Sequence, residues 1–259
     1  MTRITILGAG SSSGVPIVGS GWGACDPKEP RNRRRRASIL IERGNAVILV
    51  DTSPDCRQQL LDAEVQRLDA VIYTHAHADH SHGIDDLRWI NIAIDAPLPV
   101  YGDVETLEIL VDRFGYAFEP LQRFEGRPPH YYKPALAPRE IDGPFTIAGI
   151  AVTPFEQDHG HSTTLGLRIG DFAYSTDVMR LDDAAFAALD GIDTWIVDAY
   201  CLRPHPTHAH LDLTLSWIDR LRPRRAILCH MGAEMDYQTL RRELPPGVEP
   251  GYDGMVVEF

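Results

Sequence analysis

The chain has 259 residues, 44% apolar and 24% charged, with a formal net charge of −12. That profile suits a globular protein long enough to bury a core, and no apolar run approaches the length of a membrane helix. A net negative field repels polyanions, so a large nucleic acid is not an expected partner without a local basic patch.

The first strand-like run, residues 4–8, leads into the glycine–serine stretch ILGAGSSSGVP. Gly8, Gly10 and Gly14 permit a tight turn there, and such a turn can cradle phosphate with backbone N–H groups. The basic run RNRRRR follows at residues 31–36. It reads as a solvated edge whose arginines pair with carboxylates, with one or two of Arg33, Arg34, Arg35 and Arg36 able to take a phosphate. Runs 38–42 and 46–51 are joined by a short turn, so part of the sheet is expected to be antiparallel. A helical pattern over 54–64 precedes a strand at 70–73 and the stretch THAHADHSHG. Then come a strand at 98–101, a helix at 104–114, and residues 115–144, whose six prolines read as a long irregular loop or lid. Strands at 150–156, 164–169, 172–175, 195–198, 226–229 and 255–259 alternate with helices at 182–189 and 213–221. The alternation makes this an α/β protein, read as one domain over residues 1–259. The four cysteines, Cys25, Cys56, Cys201 and Cys229, lie far apart with no C-x-x-C pair. They read as reduced thiols in a cytoplasmic protein, and MTRITILGAG does not read as a signal peptide.

THAHADHSHG gathers His75, His77, His80 and His82 around Asp79. It begins where a buried strand ends, the edge at which ligands gather in α/β sheets. His75 and His77 can point one way from an extended loop, while Asp79 and His80 turn toward a second position. Imidazole with carboxylate, and no nearby thiolate, suits Zn, Mn, Fe or Ni.

The stretch THAHADH resembles the signature of the metallo-β-lactamase-fold hydrolases. The other elements of that pattern occur in order: Asp51 in VILVDTSPD, His159 in PFEQDHGHS, Asp177 in FAYSTDV and His230 in AILCHMG. The resemblance implies a four-layer αββα sandwich with a di-metal site at one edge of the sheets. It implies two divalent metal ions, Zn or Mn, one held by His75, His77 and His159 and the other by Asp79, His80 and His230, with Asp177 between them. Asp51 is then expected behind the ligands, fixing a loop or a ligand histidine. DHGHSTTLG offers both His159 and His161 as the third ligand; the motif match favours His159, and His161 is then a solvated loop residue or a neighbour that reaches the substrate.

Within the family, ILGAGSSSGVP resembles ribonuclease Z and the PhnP-type phosphodiesterases. HSHGIDDLRW resembles the PhnP and PqqB branch, and GYDGM resembles the PhnP C-terminus. The PhnP cysteine-rich zinc loop is reduced here to Cys25, so a third zinc is not expected. In RPHPTHAHLDL, His208 aligns with a histidine that PhnP-type enzymes use beside the metals, with His210 and His205 as alternates. A histidine at a helix start can give a proton to a leaving alkoxide. The expected function is hydrolysis of a small-molecule or nucleotide phosphodiester, cyclic phosphates included, by a metal-bound hydroxide. His208 and Asp79 are the catalytic candidates, and His210 and His161 are the substrate-binding ones. A homodimer is left open, and no membrane partner is expected. The alternatives are a ribonuclease Z-like nuclease and a PqqB-like metal-binding accessory protein.

Overall fold

The computed structural model describes residues 1–121 and 130–259. Strands β1 (Thr2–Gly8), β2 (Ser38–Arg43) and β3 (Ala46–Val50) run antiparallel, and β4 (Ala70–Ile72), β5 (Leu98–Gly102) and β6 (Leu136–Glu140) continue the sheet in parallel. Helices α1 (Cys56–Asp62), α2 (Ala78–Ser81), α3 (Leu87–Ile94) and α4 (Val104–Phe118) lie in the crossovers. The second sheet holds β7 (Phe145–Ile147), β8 (Ile150–Asp158), β9 (Thr163–Ile169), β10 (Phe172–Ser175), β11 (Thr194–Asp198), β12 (Arg225–Cys229) and β13 (Val248–Pro250). Helices α5 (Asp183–Leu189), α6 (Leu211–Leu221) and α7 (Tyr237–Glu243) connect its later strands, and β14 (Val256–Glu258) returns to pair with β1. The orders are β14-β1-β2-β3-β4-β5-β6 and β13-β12-β11-β10-β9-β8-β7. Both sheets are mixed and both are flanked by helices, the expected αββα arrangement.

Strand periodicity sorts the core. Ile39, Ile41, Ile48 and Val50 pack with Leu167, Tyr174 and Ile227 of the second sheet. The intervening Leu40 and Leu49 turn the other way, onto Leu60, Leu87 and Leu110 of the helices. Each such buried aliphatic contributes about 1.5–3 kcal/mol, so the rims of the sheets are left free to carry polar loops. Asp103, Asp182 and Asp236 start α4, α5 and α7 by accepting the N–H groups of Thr106, Ala185 and Thr239.

Three strands escaped the periodicity, β6, β7 and β13, and all three sit at sheet edges. An edge strand is paired on one side only, so it tolerates polar residues and prolines such as Pro138 and Pro250. Helices α2, α3 and α7 were also not anticipated. The irregular stretch expected over 115–144 is narrower, since residues 115–118 close α4 and Leu136–Glu140 form β6. Residues 122–129 of that expectation lie outside the described residues. Among the described residues, no helix is long and apolar enough to cross a membrane.

The glycine–serine stretch serves packing and leaves little to cradle phosphate. The N–H groups of Gly10, Ser11, Gly14 and Val15 are bonded to Arg35 O, Met231 O, Ser11 O and Arg34 O, and that of Ala9 to Asp253. A Cβ on Gly8 would stand 2.0 Å from Arg36 O, so only glycine lets the two segments meet. The basic run is mostly consumed internally as well. Arg34 is buried and donates to Met235 O, Arg35 pairs with Asp62, and Arg36 pairs with Asp55. Arg33 lies over the Trp22 ring.

Candidate metal centre

The site is built from strand ends. Asp51 follows β3, His75 follows β4, His159 follows β8, Asp177 follows β10 and His230 follows β12. Asp51, Asp177 and His230 have φ of 63°, 52° and 56°. The left-handed region costs an L residue free energy, least for Asp, Asn and His, and such residues collect at functional sites. Here it turns each side chain back over the strand ends. Gly83 closes the histidine loop onto the segment after β3, where a Cβ would stand 2.1 Å from Ser53 O.

Two groups of donors share Asp177, beside a third made of Asp198, His208 and His230. His75, His77, His159 and Asp177 form one; Asp79, His80, Asp177 and His230 form the other, with the ligand atoms of each within 4.8 Å of one another. Asp177 divides its carboxylate between them. Oδ1 lies 4.0 Å from His75 Nε2 and 3.8 Å from His159 Nε2, and Oδ2 lies 3.1 Å from His80 Nε2 and 3.5 Å from His230 Nε2. Asp79 Oδ2 stands 3.3 Å from His80 Nε2 and 3.6 Å from His230 Nε2. The seven expected ligand residues thus converge. Of the residues expected beside the metals, His208 lies against them. His161 is exposed, His210 sits at the N-cap of α6, and both stand outside the two groups.

The hydrogen bonds behind the ligands fix the tautomers. His159 Nδ1 is 2.6 Å from Thr207 O, which only accepts, so Nδ1 carries the proton. His80 Nδ1 is 2.7 Å from Asp51 Oδ2 and donates likewise. Thr74 Oγ1 donates to Asp51 Oδ2 and therefore accepts from His75 Nδ1 at 3.0 Å. In their neutral form all three rings present an Nε2 lone pair to the centre. Nε2 of His75, His80 and His230 are buried without a hydrogen-bond partner. Buried polar atoms left unpaired are costly, and lone pairs aimed at one point fit a cation. The clusters therefore fit metal binding.

The electrostatics agree in direction. Burial would raise the Asp177 carboxyl, but the His230 and His80 charges hold it well below the usual carboxylate range. Burial would lower His230, yet the Asp177 carboxylate raises it to about 9. His80 is raised for the same reason, against its burial. His75 and His159 are lowered, first by burial. Negative charge in the centre thus attracts protons or, in their place, metal cations.

Sequence reasoning missed Asp198, at the end of β11. It is fully buried, and its Oδ2 lies 3.1 Å from His208 Nδ1 and accepts Val178 N–H. Its Oδ1 has no hydrogen-bond partner and lies 3.8 Å from His230 Nδ1. The available signal was an acidic residue ending a strand, like Asp51 and Asp177 beside theirs. The His208 ring stacks on His230 with centroids 4.8 Å apart and meets the His159 ring edge-on at 4.7 Å.

Comparison with known proteins agrees with this geometry. Residues 47–231 match the beta-lactamase superfamily domain. An octanoyltransferase of Porphyromonas gingivalis is 33% identical over 98% of this chain and 51% of its own length, so the chain spans about half of that relative. Coenzyme PQQ synthesis protein B of Cupriavidus necator is 28% identical over 99% of both proteins. Ribonuclease Z of Mycolicibacterium paratuberculosis is 27% identical over 73% of the chain and 66% of its own length. A crystal structure described as a new diphosphatase from the PhnP family superposes with a TM-score of 0.90 at 31% identity, covering 100% of this chain and 97% of that one. Zn(2+)-bound PqqB from Methylobacterium extorquens shares the fold, with a TM-score of 0.77 at 18% identity over 99% of this chain and 100% of that one.

Proposed function

We propose, for a chain that belongs to the beta-lactamase superfamily, that it is a metal-dependent phosphodiesterase acting on a small molecule or nucleotide, cyclic phosphates included. The observation that carries this reading is the divided carboxylate of Asp177, with one oxygen facing each donor group. It supports a site for two divalent ions, of which His75, His77 and His159 would hold one and Asp79, His80 and His230 the other, with Asp177 available to both. Mixed imidazole and carboxylate donors suit Zn or Mn. Two such ions, when bound, lower the pKa of a water toward neutrality and stabilise charge on phosphoryl oxygens.

The chain's own groups do the rest. Asp51, Thr74 and Thr207 O hold the imidazoles in place through their Nδ1 atoms. Asp79, half-buried between His80 and His230, accepts a hydrogen bond from the attacking water. Asp198 occupies His208 Nδ1, which leaves His208 Nε2 to give a proton to the leaving oxygen. His161 and His210 meet the substrate from the rim, each two residues from a member of the centre. The likeness to a PhnP-family diphosphatase supports adding phosphoanhydrides to the substrates tested. A cytoplasmic setting belongs to the same proposal, supported by four free cysteines.

A second reading is a metal-binding accessory protein without turnover, favoured by the full-length alignment with coenzyme PQQ synthesis protein B. Metal analysis combined with a panel of cyclic phosphates, linear phosphodiesters and diphosphate diesters separates the two. Asp177→Ala should lose metal and activity together, and full metal content in that variant would sink the shared-ligand role. Exhaustive chelation should abolish turnover, with Zn or Mn restoring it. A fully loaded protein that hydrolyses nothing on the panel would leave the accessory reading standing.

A further inference from the structure

We propose that Tyr200 and His205 form an aromatic wall that receives the planar part of the substrate's leaving group, a nucleoside or an aromatic alcohol. This rests on the phosphodiesterase reading and on His208 as its proton donor. Hydrolysis of a phosphodiester adds the water's OH to phosphorus and breaks the P–O bond to the leaving group. The proton from His208 goes to that leaving oxygen, and the second proton of the water replaces it. The leaving oxygen must therefore sit at His208, and whatever it carries must lie against His208's other neighbours.

Two of those neighbours, His159 and His230, belong to the donor groups. The others are the ring of Tyr200, 4.9 Å away, and that of His205, 5.3 Å away, and these two rings are 4.9 Å from each other. Both residues are half-buried, and neither belongs to a donor group. The Tyr200 backbone is fixed on both sides: its N–H donates to Ala209 O, and its C=O accepts from Gly232 N. Among the described residues its phenol has no hydrogen-bond partner, so the ring is held while its polar tip is left for a ligand. Thr207 donates to His205 Nδ1 from its N–H at 3.4 Å, which makes that ring an acceptor toward the protein and suits a neutral stacking partner. The opposite flank differs in kind. Beside His75 and His77 lies a cavity of about 120 Å³ where Ala76 and Ile109 alternate with Glu105, Arg113, Ser162 and Thr163, with no aromatic ring but the imidazoles. The side of His77 therefore offers no ring for stacking apart from the imidazoles, and the side of His208 offers Tyr200 and His205.

Stacking of a base on aromatic side chains is sequence-tolerant and strengthens binding by about ten- to a hundredfold per base. The test uses the full metal-loaded chain and two probes with the same ribose and phosphate, AMP and ribose 5-phosphate, titrated calorimetrically. The wild type should bind AMP about ten- to a hundredfold more tightly. Tyr200→Ala should bring that ratio to within about threefold at unchanged metal content and unchanged ribose 5-phosphate affinity, while Tyr200→Phe keeps it. Tyr200→Leu retains bulk without a π face and should behave like the alanine variant if the latter folds poorly. Equal binding of both probes by the wild type overturns the wall, as does a ratio that survives in Tyr200→Ala and His205→Ala. Failure of the wild type to cleave any diester sinks the phosphodiesterase reading, whereas cleavage by a protein blind to the base sinks the wall alone.

Discussion

His230 and His80 are buried imidazoles that each face three carboxylates, and that charge balance has a consequence for the metal-free protein. The folded-state pKa of His230 is about 9, above the ordinary value of 6.5, and His80 moves in the same direction. A histidine whose folded pKa is raised contributes stability that is fully present below its unfolded pKa. The contribution is lost as pH rises through the folded value. Metal-free protein should therefore lose stability between pH 6.5 and 9, by on the order of 3 kcal/mol from His230. Thermal melts across that range should show a falling Tm, and saturating metal should reverse the trend because the ligands must then be deprotonated. A flat metal-free profile would contradict this balance. His208 gives the second residue-scale prediction. His208→Ala should keep its metal and lower kcat by about 10²–10⁴-fold on poor leaving groups. The loss should shrink with p-nitrophenolate, which scarcely needs a proton, whereas a phosphate-binding role would raise KM regardless of leaving group. His210→Ala decides between the two histidines: a leaving-group-dependent loss there, and not in His208→Ala, would make His210 the proton donor.

Strand ends do the positioning, and Asp51 shows how. From the end of β3 it takes Thr74 N–H at 2.8 Å, Thr74 Oγ1 at 2.8 Å and His80 Nδ1 at 2.7 Å, joining the loops after β3 and β4. Asp51→Asn is the informative change, because asparagine also tolerates the left-handed backbone there. It therefore isolates the carboxylate from the turn. An amide nitrogen in place of Oδ2 faces two donors and accepts from neither, so His80 loses its orientation. Metal affinity should fall about 10–100-fold, measured by competition with a chelator. Unchanged affinity would make Asp51 a structural residue of the turn only.

On the scale of the molecule, the two sheets face each other across an aliphatic core, and their polar loops meet along one rim. The chain's last segment helps to hold that rim. Asp253 Oδ1 accepts Ala9 N–H at 2.9 Å and Oδ2 accepts Arg35 N–H at 2.8 Å, tying the turn before β14 to the loop after β1 and to the arginine run. Burial pushes its carboxyl up to about 6 in spite of both bonds. Asp253→Ala leaves two inward-facing N–H groups without an acceptor and should cost about 2–4 kcal/mol, read as a lower Tm or urea midpoint at neutral pH. A change below about 0.5 kcal/mol would mean that water replaces the carboxylate fully.

The α/β class was legible in the sequence, and the resemblance of THAHADH to a family signature implied His75, His77, Asp79, His80, His159, Asp177 and His230 as one set. A strand followed at once by a histidine or aspartate is a local pattern, and the end of a buried strand has few places to point. Local reading failed where pairing or distance decides. The edge strands β6, β7 and β13 lack an alternating pattern because one side of each is unpaired. The glycine–serine turn has the local pattern of a phosphate cradle, but Arg34 O, Arg35 O, Met231 O and the Asp253 carboxylate, all distant in sequence, take most of its N–H groups. Asp198 and Tyr200 lie close to His208 in sequence, but their roles depend on α6 and the loop before it folding back over β11 and β12. What the sequence by itself determined was which side chains sit at strand ends. Only the packing of one sheet on the other decided that one carboxylate faces two histidine groups, because that meeting brings Asp177 of the second sheet onto His75 and His80 of the first, about a hundred positions away.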